Sequence, residues 1–248
     1  MRLKNKTAIV TGGASGFGAG IVRKFVAEGA RVMIADINGA GAEALAKELG
    51  EKTIAQQVDV ANGPSVEAMM KTAITEFGHL DIVVNNAGVT HLPDALEDIS
   101  EKEFDRVLAI NAKSVYLSAV HIVPHMKANG TGAILNVAST AGVSPRPRLS
   151  WYNASKGWMI TATKSMAVEL APFGIRVNAI NPVAGETPLL KSFMGEDTPE
   201  IRAKFLSTIP IGRFSEPEDM GNAACFLCSD EASMITGVAM EVDGGRCI

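Results

Sequence analysis

The sequence predicts an α/β fold, in which a parallel sheet of seven strands is covered by helices on both faces. Short apolar segments alternate with segments of helical periodicity along the whole chain, and this alternation is typical of parallel strands joined by crossover helices. Several of the short segments, among them AIV, VMIA, DIVV and AILNV, are continuously apolar and rich in valine and isoleucine. Strands that are buried on both faces have this composition, so we expect a doubly wound sheet.

Seven segments have the length and composition of strands. In chain order they are Thr7–Thr11, Arg31–Ala35, Thr53–Val58, Leu80–Asn85, Gly132–Val137, Ile175–Ile180 and Val238–Val242. The predicted helices are Gly18–Gly29, Gly41–Leu49, Pro64–Phe77, Glu101–Lys127, Trp151–Ala171 and Pro217–Ser229. The third helix has a proline in its first turn, a position that proline favours.

We expect one domain spanning residues 1–248, since the chain contains no linker, repeat or low-complexity segment. The segment 183–206, here called the lid, follows the sixth strand and mixes apolar with charged side chains. In open α/β sheets the loops after strand ends form the ligand crevice. The lid is therefore expected to close over that crevice.

Composition and charge exclude several classes of protein. The chain has 23 lysines and arginines against 27 aspartates and glutamates, a balance of the wrong sign for a nucleic-acid surface. No apolar run approaches the length of a membrane span, and the N-terminus lacks the features of a secretory signal. Three cysteines are too few for a disulfide framework. We expect a cytoplasmic protein that binds neither nucleic acid nor membrane.

The spacing Cys225-x-x-Cys228 occurs in metal and redox sites, but those sites need a second cysteine or histidine pair or a thioredoxin-like context. The sequence offers none of these. We therefore predict that both cysteines pack into the core from a helix, and we predict no metal site.

A glycine-rich turn connects the first strand to the first helix in the sequence TGGASGFG. Gly12, Gly16 and Gly18 allow the backbone to approach a pyrophosphate, and the helix N-terminus supplies free N–H groups. Ser15 adds a hydroxyl, and Phe17 lies between the last two glycines. The alternative is a plain tight turn, but the required strand and helix flank this one.

Asp36 ends the second strand, about 20 residues past the glycines, where an acid accepts hydrogen bonds from an adenosine ribose. It would repel the additional phosphate of NADP, and neither Ile37 nor Ser15 supplies a compensating cation. These residues favour NAD. The alternative is that Asp36 only caps a turn.

Polar and small residues also follow the next two strands. Asp59 and Val60 come after the third strand, where a carboxylate would accept from the adenine amino group. Asn86, Ala87 and Gly88 follow the fourth strand and would allow close packing against the cofactor ribose. Each set also fits an ordinary turn, but their placement at successive strand ends favours a common binding site.

Ser139, Tyr152 and Lys156 form a candidate proton-transfer site. Alone, Tyr152 and Lys156 fit a solvated pair on one helix face. A free tyrosine has a pKa of about 10, and a neighbouring ammonium is expected to lower it. Tyr152 would then act as general base in oxidation and general acid in reduction, while Ser139 would hydrogen-bond the substrate oxygen.

These motifs together resemble the short-chain dehydrogenase/reductase family: TGGASGFG, NNAG, Asn111, Ser139 and the Tyr152-x-x-x-Lys156 pair, within a seven-strand pattern. The resemblance covers the whole chain and implies a Rossmann-type fold. It also implies that Lys156 contacts the nicotinamide ribose and that Asn111 holds a water linking Lys156 to solvent. The resemblance also implies a homotetramer, since this family usually forms tetramers by packing two long helices, which correspond here to 101–127 and 151–171.

One segment departs from the family pattern. Val183 stands where a glycine is usual, and Gly185 follows two residues later in NPVAGETPLL. Thr187 keeps its register and is expected to face the nicotinamide carboxamide or the pyrophosphate. The departure puts the carboxamide hydrogen bonds near Gly185 in question.

The sequence leaves two alternative roles for each of three residues near the site. Arg146 and Arg148 lie between Ser139 and Tyr152, where they would meet an anionic substrate, but we favour a solvated or subunit-facing loop. His91 would line the pocket or lie in a surface turn.

The sequence thus predicts an NAD-dependent oxidoreductase acting on a secondary alcohol or ketone, such as a small alcohol, a sugar or a cyclic polyol. One alternative is a 3-oxoacyl-[acyl-carrier-protein] reductase, a subgroup that usually prefers NADPH and carries an arginine in the glycine loop. The other is a non-catalytic NAD-binding sensor on the same fold. The substrate itself does not follow from the sequence.

Overall fold

A computed structural model describes residues 1–248 of the chain and contains one sheet of seven strands. The strands are β1 (Thr7–Thr11), β2 (Arg31–Asp36), β3 (Thr53–Gln57), β4 (Ile82–Asn85), β5 (Gly132–Val137), β6 (Ile175–Pro182) and β7 (Ala239–Val242). Their spatial order is β3-β2-β1-β4-β5-β6-β7, and all neighbours are parallel. The predicted α/β fold with a doubly wound parallel sheet is confirmed.

The α-helices lie between and after these strands. They are α1 (Gly16–Ala27), α2 (Gly39–Leu49), α3 (Gly63–Phe77), α4 (Glu101–Leu108), α5 (Ser114–Asn129), α6 (Ser150–Leu170), α7 (Leu190–Met194), α8 (Pro199–Leu206) and α9 (Pro217–Cys228). Helices α7 and α8 fall within the lid and were not predicted as helices, because both are short and lack a long apolar period.

Both faces of the sheet are buried, and alternate residues of each strand serve opposite cores. In β1, Ala8 and Val10 pack with α1, α2 and α9, whereas Ile9 packs with α3, α5 and α6. In β2, Val32 and Ile34 join the first core and Met33 joins the second. Because side chains on both faces of the sheet are buried, consecutive residues of each strand are apolar, and the strands appear in the sequence as unbroken apolar runs.

The strand order reverses between β1 and β4, since β2 follows β1 on one side and β4 pairs with it on the other. In open α/β sheets, ligands bind outside the carboxyl ends of the strands at such a switch point. The fold therefore brings the loops after β1, β4 and β5 to one edge of the sheet.

The predicted continuous helix from Glu101 to Lys127 is wrong in one respect. A π-helical segment, Ala109–Lys113, separates α4 from α5, and α5 extends to Asn129. A π-turn holds an extra residue and often marks a functional site. The apolar pattern does not reveal this change, because side chains on either side keep the helical spacing.

The stretch Glu101–Asn129 is long and apolar enough to cross a membrane by length and composition, contrary to the expectation that no run approaches such a length. A core helix of a soluble protein passes the same test. Here Ile122 and Met126 are fully buried in the second core.

The prediction that Cys225 and Cys228 are core residues is confirmed. Both side chains are buried against the first core from α9. Burial raises the pKa of the Cys228 thiol to about 12, so this thiol is unreactive at neutral pH.

Candidate active site

The glycine-rich turn between β1 and α1 has the backbone geometry that the sequence predicts. Gly12 and Gly16 adopt φ values of 61° and 52°, which side chains other than glycine rarely tolerate. A Cβ on Gly18 would lie 2.0 Å from the Gly12 carbonyl oxygen. The three glycines therefore form a bare backbone surface at a helix N-terminus, and this surface fits a pyrophosphate.

Asn86 holds this turn in place. Its side-chain nitrogen donates to the carbonyl oxygens of Thr11 at 2.8 Å and Gly12 at 3.0 Å. The Thr11 hydroxyl in turn accepts from the backbone N–H groups of Asn86 and Ala87. The NNAG segment after β4 and the glycine turn after β1 are thus tied together across the switch point.

Asp36 lies at the end of β2 with its carboxylate already oriented. One oxygen accepts from the N–H of Ala14 at 3.0 Å and the other from the N–H of Asn38 at 2.9 Å. The capping role considered as an alternative is therefore real, and the carboxylate retains lone pairs toward the cleft that it lines. Asp59 and Val60 line the same cleft from the end of β3.

The lid begins against the glycine turn. A Cβ on Gly16 would lie 3.2 Å from Cβ of Thr187, and one on Gly185 would lie 2.4 Å from the Phe17 ring. Thr187 is thus placed at the pyrophosphate end of the cleft. Val183, the departure from the family pattern, is buried in an apolar cluster of the lid with Leu190 and neighbouring residues. A side chain at position 183 contributes to lid packing that glycine could not provide.

One cleft of about 450 Å³ brings nearly all predicted site residues together. The predicted residues on its wall are Gly12, Ser15, Gly16, Phe17, Gly18, Asp36, Asp59, Val60, Asn86, Ala87, Gly88, Ser139, Tyr152, Lys156 and Thr187. Asn111 is the exception, since it lies behind the wall.

Tyr152 and Lys156 lie one turn apart on α6 and both are buried. The Lys156 ammonium donates to the Val137 carbonyl oxygen at 2.8 Å and lies 5.9 Å from the Tyr152 ring centroid. Burial lowers the pKa of Lys156 to about 8. Tyr152 and Lys156 are therefore not the solvated surface pair that the spacing alone suggests.

The pKa of Tyr152 moves in the direction opposite to the prediction. Burial raises it to about 12, and the nearby Ser139 hydroxyl and the charge of Arg146 only partly oppose this effect. The Lys156 ammonium makes its hydrogen bond to the Val137 carbonyl of β5. When only groups of the protein surround it, Tyr152 is therefore a protonated phenol at neutral pH. A protonated phenol can act as a proton donor.

Asn111 lies in the π-helical segment and is fully buried. Its amide oxygen accepts from the N–H of Val89 at 2.9 Å, and its nitrogen donates to the Val89 carbonyl and to the Ser155 hydroxyl. The side chain thus ties the loop after β4 to the helix that carries Tyr152. A water held by Asn111 stays a prediction.

Arg146 and Arg148 lie in different environments. Arg148 is exposed and pairs with Asp94 at 3.1 Å, in line with a solvated loop. Arg146 instead lines the cleft, so the preferred interpretation is wrong for that residue. His91 is buried but does not line the cleft, so neither role considered for it is correct.

Sequence reasoning missed Phe193 as a site residue. Its ring, on α7, lies 5.1 Å from the ring of Tyr152, in an edge-to-face arrangement. The lid therefore touches the candidate proton donor directly. The signal available in the sequence was an aromatic residue in a segment already expected to cover the crevice.

Comparisons with known proteins agree with this geometry. A family model described as Enoyl-(Acyl carrier protein) reductase matches residues 12–246. The 4-formylbenzenesulfonate dehydrogenase of Comamonas testosteroni is 50% identical over 252 residues and 100% of both chains. The cis-4-hydroxycyclohexanecarboxylate dehydrogenase of Sinomonas cyclohexanicum is 38% identical, over 97% of this chain and 96% of that protein.

Among solved structures, a 3-ketoacyl-(acyl-carrier-protein) reductase from Brucella melitensis complexed with NADH superposes with a TM-score of 0.95. It is 49% identical and the match covers 99% of this chain and 100% of that one. With relatives of this identity along its full length, and with the family's motifs gathered in one cleft, the chain belongs to the short-chain dehydrogenase/reductase family.

Proposed function

We propose that the protein is an NAD(H)-dependent oxidoreductase that interconverts a secondary alcohol and a ketone. The observation that carries this proposal is the cleft itself, in which Ser139, Tyr152 and Lys156 line one end and the glycine turn lines the other. A dinucleotide on the glycine turn would extend toward the three polar side chains. The Brucella relative was solved with NADH, which supports the choice of cofactor.

A nicotinamide bound in this cleft would supply the hydride to the substrate carbon in reduction and accept it in oxidation. Tyr152 donates its phenolic proton to the carbonyl oxygen during reduction, since burial keeps this phenol protonated. Ser139 donates a hydrogen bond to the same oxygen and so holds it against Tyr152. Lys156, whose ammonium donates to the Val137 carbonyl, would contact the nicotinamide ribose. For oxidation Tyr152 must first lose its proton, and the positive nicotinamide of NAD⁺ favours that loss.

The relatives' names support a compact ring as substrate. The Comamonas and Sinomonas proteins are named for compounds built on a six-membered ring. The ring carries a formyl group and a sulfonate in one compound, and a hydroxyl group and a carboxylate in the other. The apolar walls formed by Leu149, Val183, Leu189 and Phe193 suit such a ring. A carbocyclic ketone or alcohol is therefore our first choice among the classes that the sequence left open.

The strongest rival is a 3-oxoacyl-[acyl-carrier-protein] reductase, the name that the Brucella relative carries. That relative was solved with NADH, so a preference for NAD(H) does not by itself exclude the rival. Turnover of a free cyclic ketone at a kcat/KM above that of an acetoacetyl thioester would favour our proposal, and the reverse order would favour the rival.

Coenzyme choice is tested at Asp36. We expect the wild type to prefer NADH over NADPH, because the carboxylate repels the additional phosphate. In Asp36→Asn the ratio of kcat/KM values should shift toward NADPH by about ten- to a hundredfold, since facing like charges cost several kcal/mol. Steady-state kinetics at nicotinamide absorbance measures the ratio. The control Glu51→Gln removes an exposed charge elsewhere and should leave it unchanged. A wild-type preference for NADPH would contradict the role given to Asp36.

We also propose that the protein assembles as a homotetramer through α5 and α6. Large apolar side chains are exposed on both helices, namely Tyr116 and Val120 on α5 and Trp158 and Val168 on α6, and their burial between subunits would favour association. Light scattering should give four times the mass of the chain. A monomer at micromolar concentration would contradict this assembly.

A further inference from the structure

The side chain of Arg146 is the feature of the cleft that the mechanism leaves without a function. It lines the cleft together with Leu149, Tyr152 and Phe193, close enough to Tyr152 for its charge to influence the phenol. The pyrophosphate end, formed by the glycine turn and Thr187, lies elsewhere on the wall. Arg146 therefore belongs to the part of the cleft where a substrate, rather than the cofactor phosphates, would lie.

The guanidinium of Arg146 has no acidic partner. It makes neither an ion pair nor a side-chain hydrogen bond, whereas Arg148, two residues away, pairs with Asp94. Two acids of the lid, Glu186 and Asp197, pair with Arg202, and no acid of the lid pairs with Arg146. A cation that is partly removed from water without a counter-charge is costly, and an anion entering the cleft would remove that cost.

The surroundings of Arg146 strengthen its positive potential. Burial lowers the pKa of Arg146, and the charge of nearby Arg246 adds to this effect. Arg246 itself forms no ion pair, and its Nε is buried without a hydrogen-bond partner. Asp36 and Asp59, the acids on the cleft wall, lie at the ends of β2 and β3, which is the adenosine side. The substrate end therefore carries a net positive charge.

Arg146 is also held in a fixed position. Its carbonyl oxygen accepts from the Asn153 side chain at 2.7 Å, and its guanidinium lies 4.2 Å from the centroid of the Phe205 ring on α8. A guanidinium fixed between the loop and the lid is preorganised to bind a ligand without a large entropic cost.

We propose that Arg146 is a specificity-determining residue that binds a carboxylate or sulfonate at the end of the substrate remote from the reacting oxygen. A guanidinium suits either group, because its planar array of donors matches two oxygens at once. This inference rests on the proposed function, since it names the substrate class of the same cleft. The substrate is then an anionic ring compound with a hydroxyl or keto group.

Ligand binding tests the proposal without requiring turnover. Benzoate and the neutral benzamide are titrated calorimetrically into the protein with saturating NADH, using wild type, Arg146→Gln and the matched control Arg148→Gln. Benzoate should bind about ten- to a hundredfold more tightly than benzamide to wild type and to the control, because hydrogen bonds to charged groups contribute about 1.5–3 kcal/mol. In Arg146→Gln the two ligands should bind alike, with unchanged Tm. Equal binding by wild type, or an advantage that survives in Arg146→Gln, would overturn the proposal.

Kinetics separates this inference from the proposed function. With NADH, 4-oxocyclohexanecarboxylate should show a KM about ten- to a hundredfold below that of its methyl ester in wild type and Arg148→Gln, and the difference should vanish in Arg146→Gln. Turnover of both compounds with equal KM in wild type would overturn the anion site and leave the reaction intact. If neither compound consumes NADH, the proposed function fails for this substrate class, and the benzoate titration still decides whether Arg146 binds anions.

Discussion

Replacing Tyr152 with phenylalanine is expected to lower kcat by about 10²–10⁴-fold, the contribution typical of general acid–base catalysis. The substitution removes the phenolic oxygen and keeps the ring, which packs edge-to-face against Phe193. NADH affinity should change little, because the glycine turn and Asp36 lie at the other end of the cleft. Ketone reduction measured at nicotinamide absorbance gives the rate, and fluorescence titration gives the NADH affinity.

The chain provides a matched control for this substitution. Its other tyrosine, Tyr116, is exposed on α5, so Tyr116→Phe removes the same oxygen away from the cleft. That variant should keep the wild-type kcat. If Tyr152→Phe keeps full activity on every alcohol and ketone that the wild type converts, Tyr152 is not the proton donor.

Substituting alanine for Gly18 is expected to have the second large effect. The added Cβ would lie 2.0 Å from the Gly12 carbonyl oxygen and 2.6 Å from the Asn86 side-chain nitrogen. The first is rigid backbone, so the glycine turn must move. A displacement of about 1 Å in a binding element can cost about a hundredfold in rate, and overpacking costs about 1–3 kcal/mol of stability. We expect a raised KM for NADH and a lowered Tm.

Gly63→Ala is the control for that variant. Gly63 also begins a helix, α3, but its Cβ would meet only the flexible end of Leu117 at 3.5 Å, and its φ is not positive. This variant should keep the wild-type KM and Tm. A Gly18→Ala protein that binds NADH normally would show that the turn does not contact the cofactor as proposed.

Features encoded by local spacing were predictable from the sequence. The seven strands follow from apolar runs whose alternate residues face opposite cores, as Val32 and Met33 do in β2. The glycine turn follows from positions that need positive φ or close backbone approach, such as Gly12 and Gly18. Because parallel strands end at one edge of the sheet, the order of motifs along the chain also predicts that they meet in one cleft.

Features that depend on which partner a side chain finds were not predictable. Tyr152 and Lys156 have the expected spacing, but burial in the fold is the largest cause of both pKa shifts. The Lys156 ammonium finds its hydrogen-bond partner at the Val137 carbonyl, 19 residues away along the chain. Asn111, in the π-helical segment, forms its side-chain hydrogen bonds with Val89, a residue 22 positions earlier in the chain. Arg146 and Arg148 look equivalent in the sequence, and only the fold directs one into the cleft and pairs the other with Asp94.

In the proposed reaction a hydride passes between a nicotinamide and a substrate carbon, both bound in the cleft. The most direct measurement uses NADH deuterated at the nicotinamide C4 and a panel of cyclic ketones, followed by mass spectrometry of the alcohols formed. We expect deuterium bound to the carbinol carbon, with a yield that falls in Tyr152→Phe. NADH that binds tightly while no ketone in the panel acquires deuterium would contradict the claim and indicate a nucleotide-binding protein without this activity.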